Sequence, residues 1–287
     1  EGDKPDILLF HEFPLTGYVY GDRDNKLRFA LEIPGPESDS FALLAKECDT
    51  YVVFGAYAKD PAWPKHILSL TTIIDRKGEI TKKVWKARNI KRFYSTFEIT
   101  TTTVEGVQDR FREQYGIADA FPVIQTEFGN IAVSTVQLDP LVFNAYAMQG
   151  AEIILRTATL FFQNDVTYTA MVNNVYSAMA NIPYDSPYGG GSLIVSPDGE
   201  ILSQHPERLE EGIVSATIPI AQFRKNRRLP QYSVDLTRAI FQQYREEIPP
   251  NHLDIPEAKL PRDGKEMKAL LDERSRWLSP TESPSTE

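Results

Sequence analysis

Short apolar runs alternate with longer mixed segments along this chain. Ile7-Leu8-Leu9-Phe10 and Tyr51-Val52-Val53-Phe54-Gly55 are rich in β-branched and aromatic residues and are bounded by turn or polar residues. That pattern predicts buried strands. Residues 67–75 and 80–85 read as two hairpin arms around the turn Arg76-Lys77-Gly78-Glu79. Further strands are predicted over 131–136, 153–155 and 213–218. Residues 192–195 and 201–202 form a second hairpin around Ser196-Pro197-Asp198-Gly199-Glu200. Helical spacing predicts helices over 40–46, with Ser38, Asp39 or Ser40 as N-cap, and over 107–115 and 165–179. A helix over 140–149 is closed by Gly150.

Strands that alternate with helices, mixed with hairpins, imply a layered α/β architecture with partly antiparallel sheets. The turns at Gly78 and Gly199 occupy comparable places in two halves of the chain. This hints at two pseudo-symmetric sheets with helices outside. The expected division is a domain over 1–248 and an extended tail over 249–287. Pro249, Pro250, Pro256 and Pro261 interrupt regular structure in the tail, and 265–278 suits one short helix. Residues 279–287 are rich in Ser, Pro, Thr and Glu and are expected to be disordered.

The 287 residues are 41% hydrophobic and 25% charged, enough for a full core in an ordinary globular protein. The net charge of −9 argues against a nucleic-acid partner. No apolar run approaches the ~20 residues of a membrane span, so no membrane partner is expected. The single cysteine, Cys48, has no intrachain disulfide partner. With no signal peptide at Glu1 to Asp6, the expected location is the cytoplasm. The four histidines, His11, His66, His205 and His252, show no metal-ligand spacing. No metal or cofactor is expected. Gly189-Gly190-Gly191-Ser192 lacks the lysine of a phosphate loop and reads as a tight turn.

Three residues could carry chemistry. Glu12 lies just past a buried strand, where α/β folds present functional groups, between the apolar residues Phe10, Phe13 and Pro14. A partly desolvated carboxylate there suits a general base, although on local sequence alone a backbone cap or a lysine partner is the commoner role. Lys86 ends a strand beside Trp85. Its ammonium can stabilise an oxyanion, or its stem can simply cover apolar surface. Ser134 sits in Ile131-Ala132-Val133-Ser134-Thr135-Val136, where a small hydroxyl commonly just bonds a nearby carbonyl.

Order and spacing join these residues. Glu12-Phe13-Pro14-Leu15-Thr16-Gly17-Tyr18 resembles the glutamate motif E-x-x-x-T-G-Y of the nitrilase superfamily. Residues 73–80 followed by Lys83-Val84-Trp85-Lys86 resemble its hairpin and lysine motif. Gly129 to Ser134, then Pro140 and residues 149–154, resemble the region around its nucleophile. Residues 191–200 resemble its late hairpin. The resemblance covers about residues 6–232, and Ala151 to Arg156 are most similar to the aliphatic amidase and formamidase branches.

The resemblance implies an αββα four-layer sandwich and metal-free hydrolysis of carbon–nitrogen bonds in a small amide. It also implies a homodimer or higher homo-oligomer that packs helices together. Carried over, Glu12 is the general base, Lys86 stabilises the oxyanion and position 134 is the nucleophile. Glu98 is the candidate for a further glutamate common in the family. Ser134 stands where the family keeps a cysteine, Val136 where many members have an aspartate, and Leu141 where a glutamate usually follows the proline. The family also begins with a strand and helix ahead of the glutamate motif, so the resemblance implies either that both are missing from this sequence, the favoured reading, or that a core strand position is filled differently. The alternative function is a non-catalytic relative that keeps Glu12 and Lys86 as a charged pocket for a small ligand or protein partner.

Overall fold

The structure, a computed structural model, describes residues 4–18, 22–89, 101–160, 162–228, 230, 232–243, 256–266 and 269. One sheet has the order β1-β2-β3-β4, formed by β1 (Ile7–Leu9), β2 (Tyr51–Ala58), β3 (Leu68–Ile74) and β4 (Ile80–Trp85). β1 runs parallel to β2, and the other pairs are antiparallel. The second sheet has six strands in the order β10-β9-β8-β7-β6-β5. They are β5 (Ile124–Thr126), β6 (Gly129–Ser134), β7 (Ile153–Ala158), β8 (Tyr176–Asn181), β9 (Leu193–Val195) and β10 (Ile201–Gln204). Its centre, β6-β7-β8, is parallel and its flanks are antiparallel.

Strand alternation builds the layers. In β2, Val52, Phe54, Ala56 and Ala58 face outward, where they meet Phe41 and Ala45 of α2 (Pro36–Cys48). Phe111 of α3 (Gln108–Tyr115) joins the same layer against Trp85. The inward residues Val53, Ile73 and Val84 pack against Ile131, Val133, Ile153 and Leu155 of the other sheet. The outward face of that sheet is covered by α4 (Pro140–Met148), through Val142, Phe143 and Tyr146, and by α5 (Gln163–Asn173), through Val166 and Ala170. The result is the four-layer αββα sandwich.

Both hairpins use one device. Asp75 Oδ1 accepts the N–H groups of Lys77 and Glu79 at 2.9 Å, and Gly78 has φ +75°. Ser196 Oγ accepts those of Asp198 and Glu200 at 3.3 and 3.2 Å, and Gly199 has φ +81°. In each case a side-chain acceptor closes the turn that glycine permits.

Several expectations need correction. The helix expected over 165–179 stops at Asn173. Asn174 adopts a left-handed conformation at φ 50°, and Tyr176–Asn181 becomes the strand β8 between β7 and β9. No strand forms over 213–218: the sheet already ends at β10, and Ile213 is 93% exposed. The helix expected over 40–46 begins at Pro36, whose fixed φ suits a first helical position, and Ser38 Oγ takes the Gly35 N–H at 2.9 Å. Strand β5 and the helices α1 (Arg23–Phe29), α6 (Ile220–Asn226) and α7 (Val234–Gln243) had no clear sequence signal. Most of the helix expected over 265–278, and all of 279–287, lie outside the described residues.

Charged anchors tie the layers at their margins. Arg224 of α6 makes a two-pronged contact with the buried Glu152 at 2.8 and 2.7 Å. Burial alone would push the Glu152 carboxyl up, but these bonds and the Asn130 N–H hold it below the usual carboxylate range. Residues 256–266 return to the first sheet. There Glu257 meets Arg110 at 3.3 Å and His66 at 3.9 Å, while Arg110 stacks on the buried Trp63 at 3.9 Å.

His66 shares a 2.8 Å hydrogen bond with Thr102 and is 4% exposed. Burial pushes its imidazole down to about 4. Arg23 adds to this, Glu257 opposes it and Arg110 adds to it again. An unfolded histidine titrates near 6.5, so the unfolded chain binds a proton before the folded one does. The stability that neutral His66 contributes is therefore complete above pH 6.5 and is lost as pH falls toward 4. Lowering the pH from 7 to 5 should cost about 1–2 kcal/mol through this group. His66→Gln should flatten that slope in urea unfolding at the two pH values.

Candidate active site

The two sheets are apolar against each other at one end and polar at the other. On β3, Ile73 packs in the inter-sheet core, while Ser69 and Thr71 on the same face do not. Thr71 Oγ1 lies 3.1 Å from Thr157 Oγ1 of β7, so two hydroxyls bridge the sheets. Glu12 enters beside them. Its N–H reaches Ala158 O at 3.5 Å, and its backbone lies flat on β2 at Gly55. A Cβ at Gly55 would stand 2.3 Å from Glu12 O, so only glycine permits this approach.

Lys86 arrives by the alternation of β4. Val84 faces the inter-sheet core, and Lys86, two residues on, faces the same way. Its N–H bonds Ser69 O at 2.9 Å and continues the ladder one residue past β4. Lys86 Nζ donates to Glu12 Oε1 at 3.1 Å. Ser69 Oγ donates to the same oxygen at 3.2 Å, and Thr159 Oγ1 donates to Glu12 Oε2 at 3.0 Å. Tyr184 Oη in turn donates to Thr159 O at 2.9 Å. Glu12 is 2% exposed and Lys86 8%. A carboxylate and an ammonium are thus withdrawn from water together, with both carboxylate oxygens engaged.

Ser134 is the last residue of β6 and is buried. It pairs in register with Arg156 of β7, three residues before Thr159. Among the described residues its hydroxyl makes one hydrogen bond, accepting the Val136 N–H at 3.1 Å. The structure therefore joins Glu12 to Lys86 directly and sets Ser134 one strand away, at the C-terminal end of the parallel strands. Glu98 lies outside the described residues.

The chain after Ser134 is clamped from two sides. Arg88, two residues past Lys86, donates to Asp139 and to Leu138 O at 3.3 Å. Asp139 caps α4 by accepting the N–H groups of Leu141 and Val142 at 3.1 and 3.4 Å. Arg156 and Asp165 hold the segment from the other side. None of Ser69, Thr159, Gly55, Arg88 or Arg156 stood out for a role in the sequence. Ser69 and Thr71 were nonetheless visible as polar residues on one face of an apolar strand. Among the described residues, no group of three or more His, Cys, Asp or Glu could hold a metal ion.

The carbon–nitrogen hydrolase family profile matches residues 3–228. The chain belongs to the carbon–nitrogen hydrolase family. Solved nitrilase-superfamily structures share its fold. Nit3 of Saccharomyces cerevisiae, a branch 10 member of the superfamily, is 18% identical with a TM-score of 0.60, over 77% of this chain and 80% of Nit3. A mutant amidase from Nesterenkonia sp. AN1, in complex with butyramide, is 16% identical with a TM-score of 0.57, over 82% of this chain and 83% of the amidase. A cysteine-to-serine mutant of that amidase is 16% identical with a TM-score of 0.54, over 82% and 84%. At these identities the likeness carries the fold of this carbon–nitrogen hydrolase family member.

Two outcomes follow for the buried pair. Glu12→Gln should remove a buried carboxylate that compensates the Lys86 ammonium and cost about 3 kcal/mol or more, with much of this recovered in Glu12→Gln/Lys86→Met. Denaturant unfolding of the full double-mutant cycle measures the coupling. Gly55→Ala should cost about 1–3 kcal/mol by overpacking against the Glu12 backbone, read in the same assay.

Proposed function

We propose that this chain is a hydrolase of non-peptide carbon–nitrogen bonds in a small amide. In this reading position 134 attacks, Glu12 is the general base and Lys86 stabilises the oxyanion. The observation that carries it is the buried Glu12–Lys86 pair at 3.1 Å, with Glu12 fixed by two hydroxyls. Such a pair is a weak source of stability, because desolvating both charges offsets their attraction. It suits a reaction in which a proton moves beside a developing anion.

In the first step the group at position 134 bonds to the amide carbon and its proton passes to Glu12. The carbonyl π pair moves to oxygen, facing the Lys86 ammonium. As the tetrahedral carbon collapses, the C–N bond breaks, Glu12 returns the proton to nitrogen, and ammonia leaves. Water then attacks the acyl group, Glu12 takes its proton, and position 134 departs reprotonated. Glu98 belongs to this reading only as the candidate for the further glutamate that the family resemblance implies. The attacking hydroxyl of Ser134 has a 3.1 Å bond to Val136 N–H, and catalytic contacts commonly tighten only when substrate is bound.

A serine is a poorer partner than a cysteine for a lone carboxylate base, because a thiolate is far more available near neutral pH. The reading therefore includes slow or silent turnover in the chain as it stands. The same serine favours a second reading, a non-catalytic relative that binds a small ligand or protein partner around Glu12 and Lys86. A homodimer or higher homo-oligomer is also part of the proposal. Leu141 and Met148 on α4, and Tyr168 and Met171 on α5, expose apolar surface on the outer helix layer. A cytoplasmic setting completes it, since Cys48 is the single cysteine. No helix among the described residues is long and apolar enough to cross a membrane.

Ammonia release from small amides, nitriles and N-carbamoyl compounds tests the proposal, with the chain and Ser134→Cys side by side. Turnover confined to, or at least 10²-fold faster in, Ser134→Cys is the expected outcome. A folded Ser134→Cys protein that leaves every compound intact while binding one of them would favour the ligand-binding reading.

A further inference from the structure

A buried ion pair supplied by other elements holds the turn that follows Ser134. Arg156 of β7 is fully buried and stands opposite Ser134 in the ladder. Its Nη2 donates to Val136 O at 3.3 Å, to Gln137 Oε1 and to Asp165 Oδ2. Asp165, in the first turn of α5, also accepts the Leu138 N–H at 3.1 Å. The guanidinium lies over the Phe143 ring at 4.5 Å. Its Nε and Nη1 have no hydrogen-bond partner among the described residues.

An arginine with two unpaired nitrogens is a costly way to fill a core, and an apolar side chain would serve stability as well or better. The Val136 peptide units show what it provides instead. The Val136 N–H donates to Ser134 Oγ at 3.1 Å, while the Val136 carbonyl accepts from Arg156. One residue is therefore held at both ends, and the N–H that meets position 134 is aimed from β7. Two residues on, Leu138 adopts a left-handed φ of 54°, uncommon for a leucine. Its N–H is on Asp165 and its carbonyl on Arg88.

We propose that Arg156 and Asp165 are a positioning pair for the group at position 134. They fix the Val136 N–H against the attacking atom and so stabilise its anionic form. A donor aimed at an anion favours the charged form, and one fixed in advance needs no reorganisation when the charge develops. The proposal rests on the reading of position 134 as the reacting group.

The test is iodoacetamide alkylation of the Ser134→Cys protein as a function of pH. Peptide mass spectrometry separates label at position 134 from label at Cys48. Adding Arg156→Met and Asp165→Asn together removes both charges and leaves no lone buried ion. This variant should raise the alkylation midpoint at position 134 by about one pH unit and slow labelling at pH 7 roughly tenfold. Its thermal unfolding and circular dichroism report the fold. Arg156→Lys keeps one donor without the planar fork and should give an intermediate shift. An unchanged profile in the folded triple variant overturns the proposal. If that variant does not fold, Ser134→Cys/Arg156→Lys decides: an upward shift supports the positioning role and an unchanged profile overturns it. A position-134 thiol that stays unlabelled at every pH in the folded Ser134→Cys protein overturns the hydrolase reading and this proposal together. A reactive thiol with an unchanged profile overturns the positioning role alone.

Discussion

The Glu12–Lys86 ion pair is the constraint around which the polar end of the sandwich is arranged. Charges at that depth require compensation, and the contact between the two, with the hydroxyls around Glu12, supplies part of it. Ser69 and Thr159 come from different sheets to meet the carboxylate. The hydroxyl pair Thr71 and Thr157 continues that polar seam. Gly55 lacks a side chain because the Glu12 backbone occupies the space. The polar seam ends where Val53, Ile73 and Val84 close the sheets with apolar surface. Fold stability and site geometry are thus assigned to opposite ends of one inter-sheet layer.

Position 134 belongs to a different mechanical unit. Strand β6 delivers it, but the turn after the strand decides what its side chain meets. Arg88 reaches that turn from just beyond Lys86, and Arg156 and Asp165 reach it from the second sheet and α5. The half-site that holds the charges and the half-site that holds the hydroxyl are therefore linked by guanidinium groups. This carbon–nitrogen hydrolase family member keeps the buried Glu12–Lys86 pair and carries serine at position 134, and under the proposed reading the chemistry of that one atom sets the rate.

Much of this was legible from residue patterns. Alternation exposed most strands, and the turns at Gly78 and Gly199 announced the two hairpins because glycine permits their positive φ. Glu12, Lys86 and Ser134 stood out by order and spacing. Other features depend on tertiary context. The segment Tyr176–Asn181 carries Ser, Ala and Asn, which look like a helix continuation until a strand slot between β7 and β9 claims them. Residues 213–218 look like a strand, yet the sheet ends at β10. The partners of Glu12 were hidden for a related reason. Ser69 is 57 positions away and Thr159 is 147, and no local pattern reports a contact at that separation.

The central claim is that Glu12 activates the group at position 134 against a small amide. Its most direct measurement is single-turnover acylation of Ser134→Cys protein by such an amide, followed by intact mass and peptide mapping, with and without Glu12→Gln. The account predicts one acyl group at position 134, formed at least 10²-fold more slowly once Glu12 is replaced. Acylation at position 134 at an equal rate in both proteins, or acylation only at another residue, would contradict it.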